Sequence, residues 1–231
     1  MIIKGLQRLT LLDFPGRIAC TVFTGGCNMR CGFCHNGDLL SPSAEAAIST
    51  DELLAFLDSR RGRLQGVCVS GGEPTLHPDL PELIAEIKKR GFEVKLDTNG
   101  TNPEMLSALI ADGLVDYVAM DIKNSPEKYE DTCGLSTKSD LMEKIKHSVE
   151  ILRSGRVEYE FRTTLTREMH SAEDIMAIGR WLCGESRYFL QTYRDEGELV
   201  EGGYTPYSRE ETAELLQIVR SYLPNAEIRF S

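Results

Sequence analysis

The strongest constraint on the fold of this chain is an alternation. Short β-rich apolar runs, IACTVF (18–23), GVCVS (66–70), EVKLDT (93–98), VDYVAMD (115–121), EYEFRTTL (158–165) and YFLQTY (188–193), are separated by segments of helical length. TDELLAFLDSR (50–60) opens on a Thr/Asp cap signal, and PDLPELIAEIKKRG (78–91) closes on lysine, arginine and glycine, a helix-stop signature. NPEMLSALIADG (102–113), KSDLMEKIKHSVEILRSG (138–155), SAEDIMAIGRWL (171–182) and SREETAELLQIVRSYL (208–223) complete the helical set. Such alternation implies an α/β protein with a mostly parallel sheet and right-handed crossovers. No repeat or Pro/Gly/Ser-rich linker interrupts it, so one domain over 1–231 is expected, with a core at about 11–193 and a C-terminal helix and short strand over 208–231.

An open doubly wound sheet and an incomplete barrel both satisfy this pattern. Either one places functional loops at the C-terminal ends of its strands. The unusual residues fall there: TGGCNMRC follows the first run, SGGEPT the second, DTNG the third and DIK the fourth.

CNMRCGFCHN (27–36) sets three cysteines in eight positions of a polar loop. The chain holds seven cysteines, an odd number, and its N-terminus lacks the apolar core of a signal peptide. A disulfide framework is therefore not expected, and a cytoplasmic location is. Thiolates suit zinc or iron–sulfur clusters. A structural zinc would want a fourth ligand, and His35 is too close to Cys34 to chelate with it without strain. A cluster held by Cys27, Cys31 and Cys34 leaves one iron open. Cys20, Cys68 and Cys183 read as buried apolar residues, and Cys133, in a polar loop, has no evident role. His77, His147 and His170 lack ligand spacing and are expected in solvated or capping roles. The net charge of −10 argues against nucleic acid as a partner, and no apolar run approaches the roughly 20 residues of a membrane span.

The pattern C-x3-C-x-Phe-C, here Cys27, Cys31, Phe33 and Cys34, resembles the radical S-adenosylmethionine superfamily. DFPGR (13–17) and the CxFCHN stretch are similar to its glycyl-radical-enzyme activating group. The TLLDFPGR opening and short length most resemble activating proteins for anaerobic ribonucleoside-triphosphate reductase. The resemblance implies an incomplete (β/α)6 TIM-like barrel. It also implies a [4Fe-4S] cluster whose open iron binds S-adenosylmethionine, cleaved reductively to methionine and a 5′-deoxyadenosyl radical that abstracts a glycine α-hydrogen from a partner glycyl radical enzyme. A flavodoxin- or ferredoxin-type reductant follows from the same chemistry.

Residue by residue, the resemblance lays Phe33 against the adenine and Gly71, Gly72 and Glu73 against the methionine amino group. Lys123 faces the cofactor carboxylate, and Asn99 and Arg162 lie near the cofactor. Asp97, Thr98 and Asp121, with the Ala119 carbonyl, form a monovalent-cation site. Arg194 stands where close relatives carry a cofactor-contacting histidine. His35 and Asn36 act as markers of the group rather than as ligands. Two other readings remain open. One is a radical enzyme acting on a small molecule, like 7-carboxy-7-deazaguanine synthase; the other is a non-catalytic electron-transfer or zinc module.

Overall fold

A computed structural model describes residues 1–34, 37–40, 46–135, 140–194 and 200–230. The strand order follows chain order from β1 to β8, with the first and last strands at the two edges of an open sheet. Its strands are β1 (Ile3–Thr10), β2 (Ala19–Thr24), β3 (Gly66–Gly71), β4 (Glu93–Thr98), β5 (Tyr117–Asp121), β6 (Glu158–Leu165), β7 (Tyr188–Thr192) and β8 (Ala226–Arg229). The β2–β3, β3–β4, β6–β7 and β7–β8 pairs are parallel. All six apolar runs are strands, and the short C-terminal strand is β8.

The helices are α1 (Thr50–Arg60), α2 (Leu80–Lys89), α3 (Pro103–Ala111), α4 (Tyr129–Thr132), α5 (Leu141–Arg153), α6 (Ala172–Leu182) and α7 (Arg209–Arg220). Ser49, one residue before the expected cap, closes a capping box with Glu52. Ser171 with Asp174 and Ser208 with Glu211 do the same for α6 and α7. Each box satisfies orphan backbone donors in the first helical turn.

The sequence reading does not include β1, which pairs antiparallel with β2. Its segment, IKGLQRLT, has no alternation of apolar and polar residues, and the register shifts twice along the pair. Irregular pairing of this kind erases the period-2 signal by which a half-buried strand is read.

The chain forms two compact units. The first comprises 1–28, 38–119 and 147–158. Its core brings Val67, Cys68 and Val69 of β3 and Val94 and Leu96 of β4 together with Leu80, Ile84 and Ile87 of α2, all fully buried. The second comprises 29–37, 120–146 and 159–231. Its core holds Phe161, Tyr188, Leu190, Ile175, Ile178, Leu182 and Val219. β5 is divided between the units after Ala119.

In the second unit the last strand is locked by one ion pair. Glu160 is fully buried, and Arg229 of β8 meets its carboxylate bidentately, at 2.6 and 3.0 Å. The same guanidinium lies 3.8 Å from the centroid of the Phe189 ring. Removing one partner of a buried pair leaves a charge without compensation, which costs more than the pair contributes. Arg229→Ala is therefore expected to lower the unfolding free energy by about 3–5 kcal/mol in urea titrations, while an exposed control such as Lys146→Ala changes it little.

Candidate active site

In the first unit, the loop after β2 is shaped by backbone contacts that exclude side chains. Gly72 N–H donates to the Thr24 carbonyl at 2.9 Å, and Glu73 N–H to the Gly26 carbonyl at 2.8 Å. A Cβ on Gly72 would stand 2.1 Å from the Gly26 oxygen. Gly71 has φ +121°, and a Cβ there would stand 2.3 Å from the Thr24 nitrogen. The Gly-Gly pair thus admits the chain's own cysteine-bearing loop to the end of β3, which a simple turn would not require.

Glu73 is fully buried, and its carboxylate accepts four hydrogen bonds. Oε1 accepts from Thr75 N–H at 3.1 Å, Thr75 Oγ1 at 2.5 Å and Thr98 Oγ1 at 2.7 Å. Oε2 accepts from Asn99 N–H at 2.6 Å. Burial pushes this carboxyl up from its ordinary value, and the four donors act against that shift. The Asn99 side chain donates to Asn28 Oδ1 at 2.9 Å and lies 4.0 Å from Cys27 Sγ. Cys27, Gly71, Gly72, Glu73, Thr98 and Asn99 are thereby brought together. Asp97 points instead to Lys95 and to Ser70, whose hydroxyl donates to it at 3.0 Å.

The second unit carries the remainder of the cysteine loop, since the division falls between Asn28 and Met29. Cys34 N–H donates to the Cys31 carbonyl at 3.0 Å, closing a turn that carries both thiols. Glu201 N–H bonds the Gly32 carbonyl at 3.0 Å and Val200 N–H the Cys34 carbonyl at 3.1 Å. Phe33 is buried, with His170 and Tyr204 packed edge-on at 5.9 and 6.1 Å between centroids. The Cys31 thiol is lowered to about 7, first by a hydrogen bond from Cys133 and then, against burial, by the Lys123 charge.

Asp121 and Lys123 end β5 and the turn after it. Asp121 Oδ1 accepts from Arg162 Nε at 2.9 Å, and Lys123 Nζ donates to Oδ2 at 3.0 Å. Burial alone would raise the Asp121 carboxyl, but Arg162 and Lys123 hold it well below the usual carboxylate range. Burial likewise opposes the Lys123 ammonium, yet Asp121 and the cysteine sulfurs of Cys31 and Cys34 hold it above its ordinary value. Arg194 follows β7 and is exposed. His35 and Asn36 lie outside the described residues.

Sequence reading missed Cys133 and His170. Cys133 is fully buried; its carbonyl accepts Arg30 N–H at 2.8 Å and its thiol bonds Cys31. His170 is fully buried rather than solvated. Its Nδ1 accepts from Thr166 N–H at 3.2 Å, so Nε2 carries the proton and donates to the Lys123 carbonyl at 2.8 Å. Neither residue has a motif that marks it; both are recruited by tertiary packing. His77 places Nε2 2.8 Å from the Gly25 carbonyl.

No group of three or more His, Cys, Asp or Glu among the described residues is gathered as a ligand set for a single metal ion. Each thiol taken by itself has the chemistry of a cluster ligand. Cys31 is poised to ionise near neutrality beside a fixed ammonium, and Cys27 has an amide donor within reach.

The profile of the radical SAM superfamily matches residues 21–177. The chain belongs to the radical SAM superfamily. A Methanocaldococcus jannaschii protein provisionally named a glycyl-radical enzyme activating enzyme is 31% identical over 99% of this chain and 95% of its own length. The pyruvate formate-lyase-activating enzyme of Staphylococcus aureus is 37% identical over 103 residues; these span 42% of this chain and 41% of that enzyme. In fold, the chain is similar to a radical SAM methyltransferase from Sphaerobacter thermophilus. The TM-score is 0.72 at 19% identity, covering 96% of this chain and 68% of that one. Membership implies a [4Fe-4S] cluster and S-adenosylmethionine, and a thiol that ionises near neutrality, as Cys31 does, suits such a cluster. No helix among the described residues is long and apolar enough to cross a membrane.

His170 gives this radical SAM protein a definite pH signature. Burial lowers its pKa, so below the ordinary histidine value the unfolded chain binds a proton that the folded chain refuses. Stability should therefore be full above about pH 6.5 and fall as the pH drops toward the folded-state value. His170→Gln is expected to flatten this decline, as read from urea midpoints between pH 5 and pH 8.

Proposed function

We propose that this protein is a glycyl-radical-enzyme activating enzyme whose partner is an anaerobic ribonucleoside-triphosphate reductase. The observation that carries the activating role is the likeness to the Methanocaldococcus jannaschii protein over nearly the whole of both chains. The choice of partner rests on the TLLDFPGR opening.

Cys27, Cys31 and Cys34 hold the cluster. Gly71 and Gly72 offer backbone rather than side chain to the cofactor, and Glu73 fixes the Thr98–Asn99 turn beside them. Lys123, held charged by Asp121, binds the cofactor carboxylate, and Arg162 orients Asp121. Phe33 packs toward the adenine, and Arg194 is a secondary carboxylate contact. When bound, the cluster and S-adenosylmethionine supply a 5′-deoxyadenosyl radical that abstracts the α-hydrogen of a glycine in the partner. The glycine reaches the site on an extended loop, and its captodative radical is stored in the partner enzyme. A flavodoxin or ferredoxin delivers the electron.

Anaerobic reconstitution with iron and sulfide, followed by reduction with S-adenosylmethionine, should yield 5′-deoxyadenosine. Cys31→Ala should lower that yield by at least about 100-fold, since a missing ligand removes the cluster chemistry altogether. Added anaerobic ribonucleotide reductase should then show a glycyl doublet by electron paramagnetic resonance. Cofactor cleavage without that doublet would sink the partner assignment and favour a small-molecule substrate.

A further inference from the structure

Lys95 of β4 has no part in the site as proposed, yet it is among the most completely buried side chains of the first unit, 1% exposed. Val94 and Leu96 on either side are fully buried. Side chains two apart on a strand share a face, and the next residue on that face toward the site is Asp97. The Lys95 ammonium pairs with Asp97 Oδ1 and lies 3.8 Å from Cys68 Sγ. Ser70 Oγ donates to the other carboxylate oxygen at 3.0 Å. A lysine this deeply buried persists only when its charge is matched.

Asp97, Thr98 and Asp121 were expected to hold a monovalent cation. Each is committed to a partner within its own unit. Asp97 is bound by Lys95 and Ser70. Thr98 Oγ1 donates to Glu73 and accepts from Gly100 N–H at 3.1 Å. Asp121 is bound by Arg162 and Lys123. A hard cation needs several oxygen ligands turned toward it, and the Asp97 carboxylate is already matched by the Lys95 ammonium and the Ser70 hydroxyl.

We infer that the Lys95 ammonium stands in for that ion, giving the Asp97 carboxylate a covalently held positive charge, so that this protein uses S-adenosylmethionine without a monovalent cation. The proposal rests on cofactor use by the superfamily and not on the identity of the activated partner. A tethered ammonium is present at fixed stoichiometry, whereas a bound ion would fill and empty with the salt around it.

The test compares cluster-loaded protein in potassium, sodium and tetramethylammonium chloride at equal ionic strength, under anaerobic conditions. Wild-type Tm should be the same in all three salts, because no ion binds the folded state selectively. Lys95→Met keeps the apolar stem and removes the charge. Its Tm should rise by roughly 2–4 °C in potassium or sodium over tetramethylammonium. Its yield of 5′-deoxyadenosine should fall about tenfold in tetramethylammonium and recover with potassium or sodium. A double variant, Lys95→Met with Asp97→Asn, removes both charges and should lose the ion dependence.

A selective rise of wild-type Tm in potassium or sodium would overturn the proposal, whether or not the variants fold. So would a folded Lys95→Met indifferent to the ion. Absence of 5′-deoxyadenosine in every salt would count against the proposed function instead, and would leave the Tm comparison to decide this point.

Discussion

The first unit is organised around one buried carboxyl group. Glu73 is fully buried, and Thr75, Thr98 and the backbone of Asn99 all donate to it. A charge in such a place is costly to bury and more costly to orphan. The four donors are therefore held in register by the same group that needs them. The ends of β3 and β4 are joined through this one side chain, and Asn99 passes the constraint on to Asn28 and the neighbourhood of Cys27. Gly71 and Gly72 make the junction possible by leaving room for the backbone of Thr24 and Gly26.

The second unit solves a related problem with opposite charges. Asp121 lies between Arg162 and Lys123, and that shared pairing keeps all three ionised in a half-buried setting. Lys123 then has charge to spare for the sulfur of Cys31. His170 holds the Lys123 backbone carbonyl through its Nε2–H, in the tautomer dictated by Thr166. Such preorganisation fixes electrostatics before any ligand arrives.

Much of this was legible in the residues, and the exceptions share a cause. The six apolar strands and the six long helices could be read because period and punctuation agree in them. β1 could not, since its register shifts erase alternation. The polar strand ends announced themselves, and Asp97, Asp121 and Lys123 do lie at or just past the ends of β4 and β5. Their partners were mostly hidden. Arg162 could be placed near the cofactor but not against Asp121, and His170 and Cys133 lie far along the chain from the groups they bind. Lys95 is the instructive case. A lysine inside an apolar strand, two positions before an aspartate, was a readable anomaly, because only a matched charge keeps lysine in such a place.

The bracing of the cysteine turn bears on how the protein matures. Gly32 and Cys34 offer their carbonyls to the backbone of Glu201 and Val200, and a Cβ at Gly32 would stand 2.1 Å from the Tyr204 hydroxyl. The turn carrying two of the three thiols therefore takes its form from the polypeptide itself. Small metal-dependent domains behave otherwise, remaining unfolded until the metal arrives. On the proposed function, iron and sulfide would meet the Cys31 and Cys34 thiols already set in a turn, and assembling a cluster there would not require that turn to fold first.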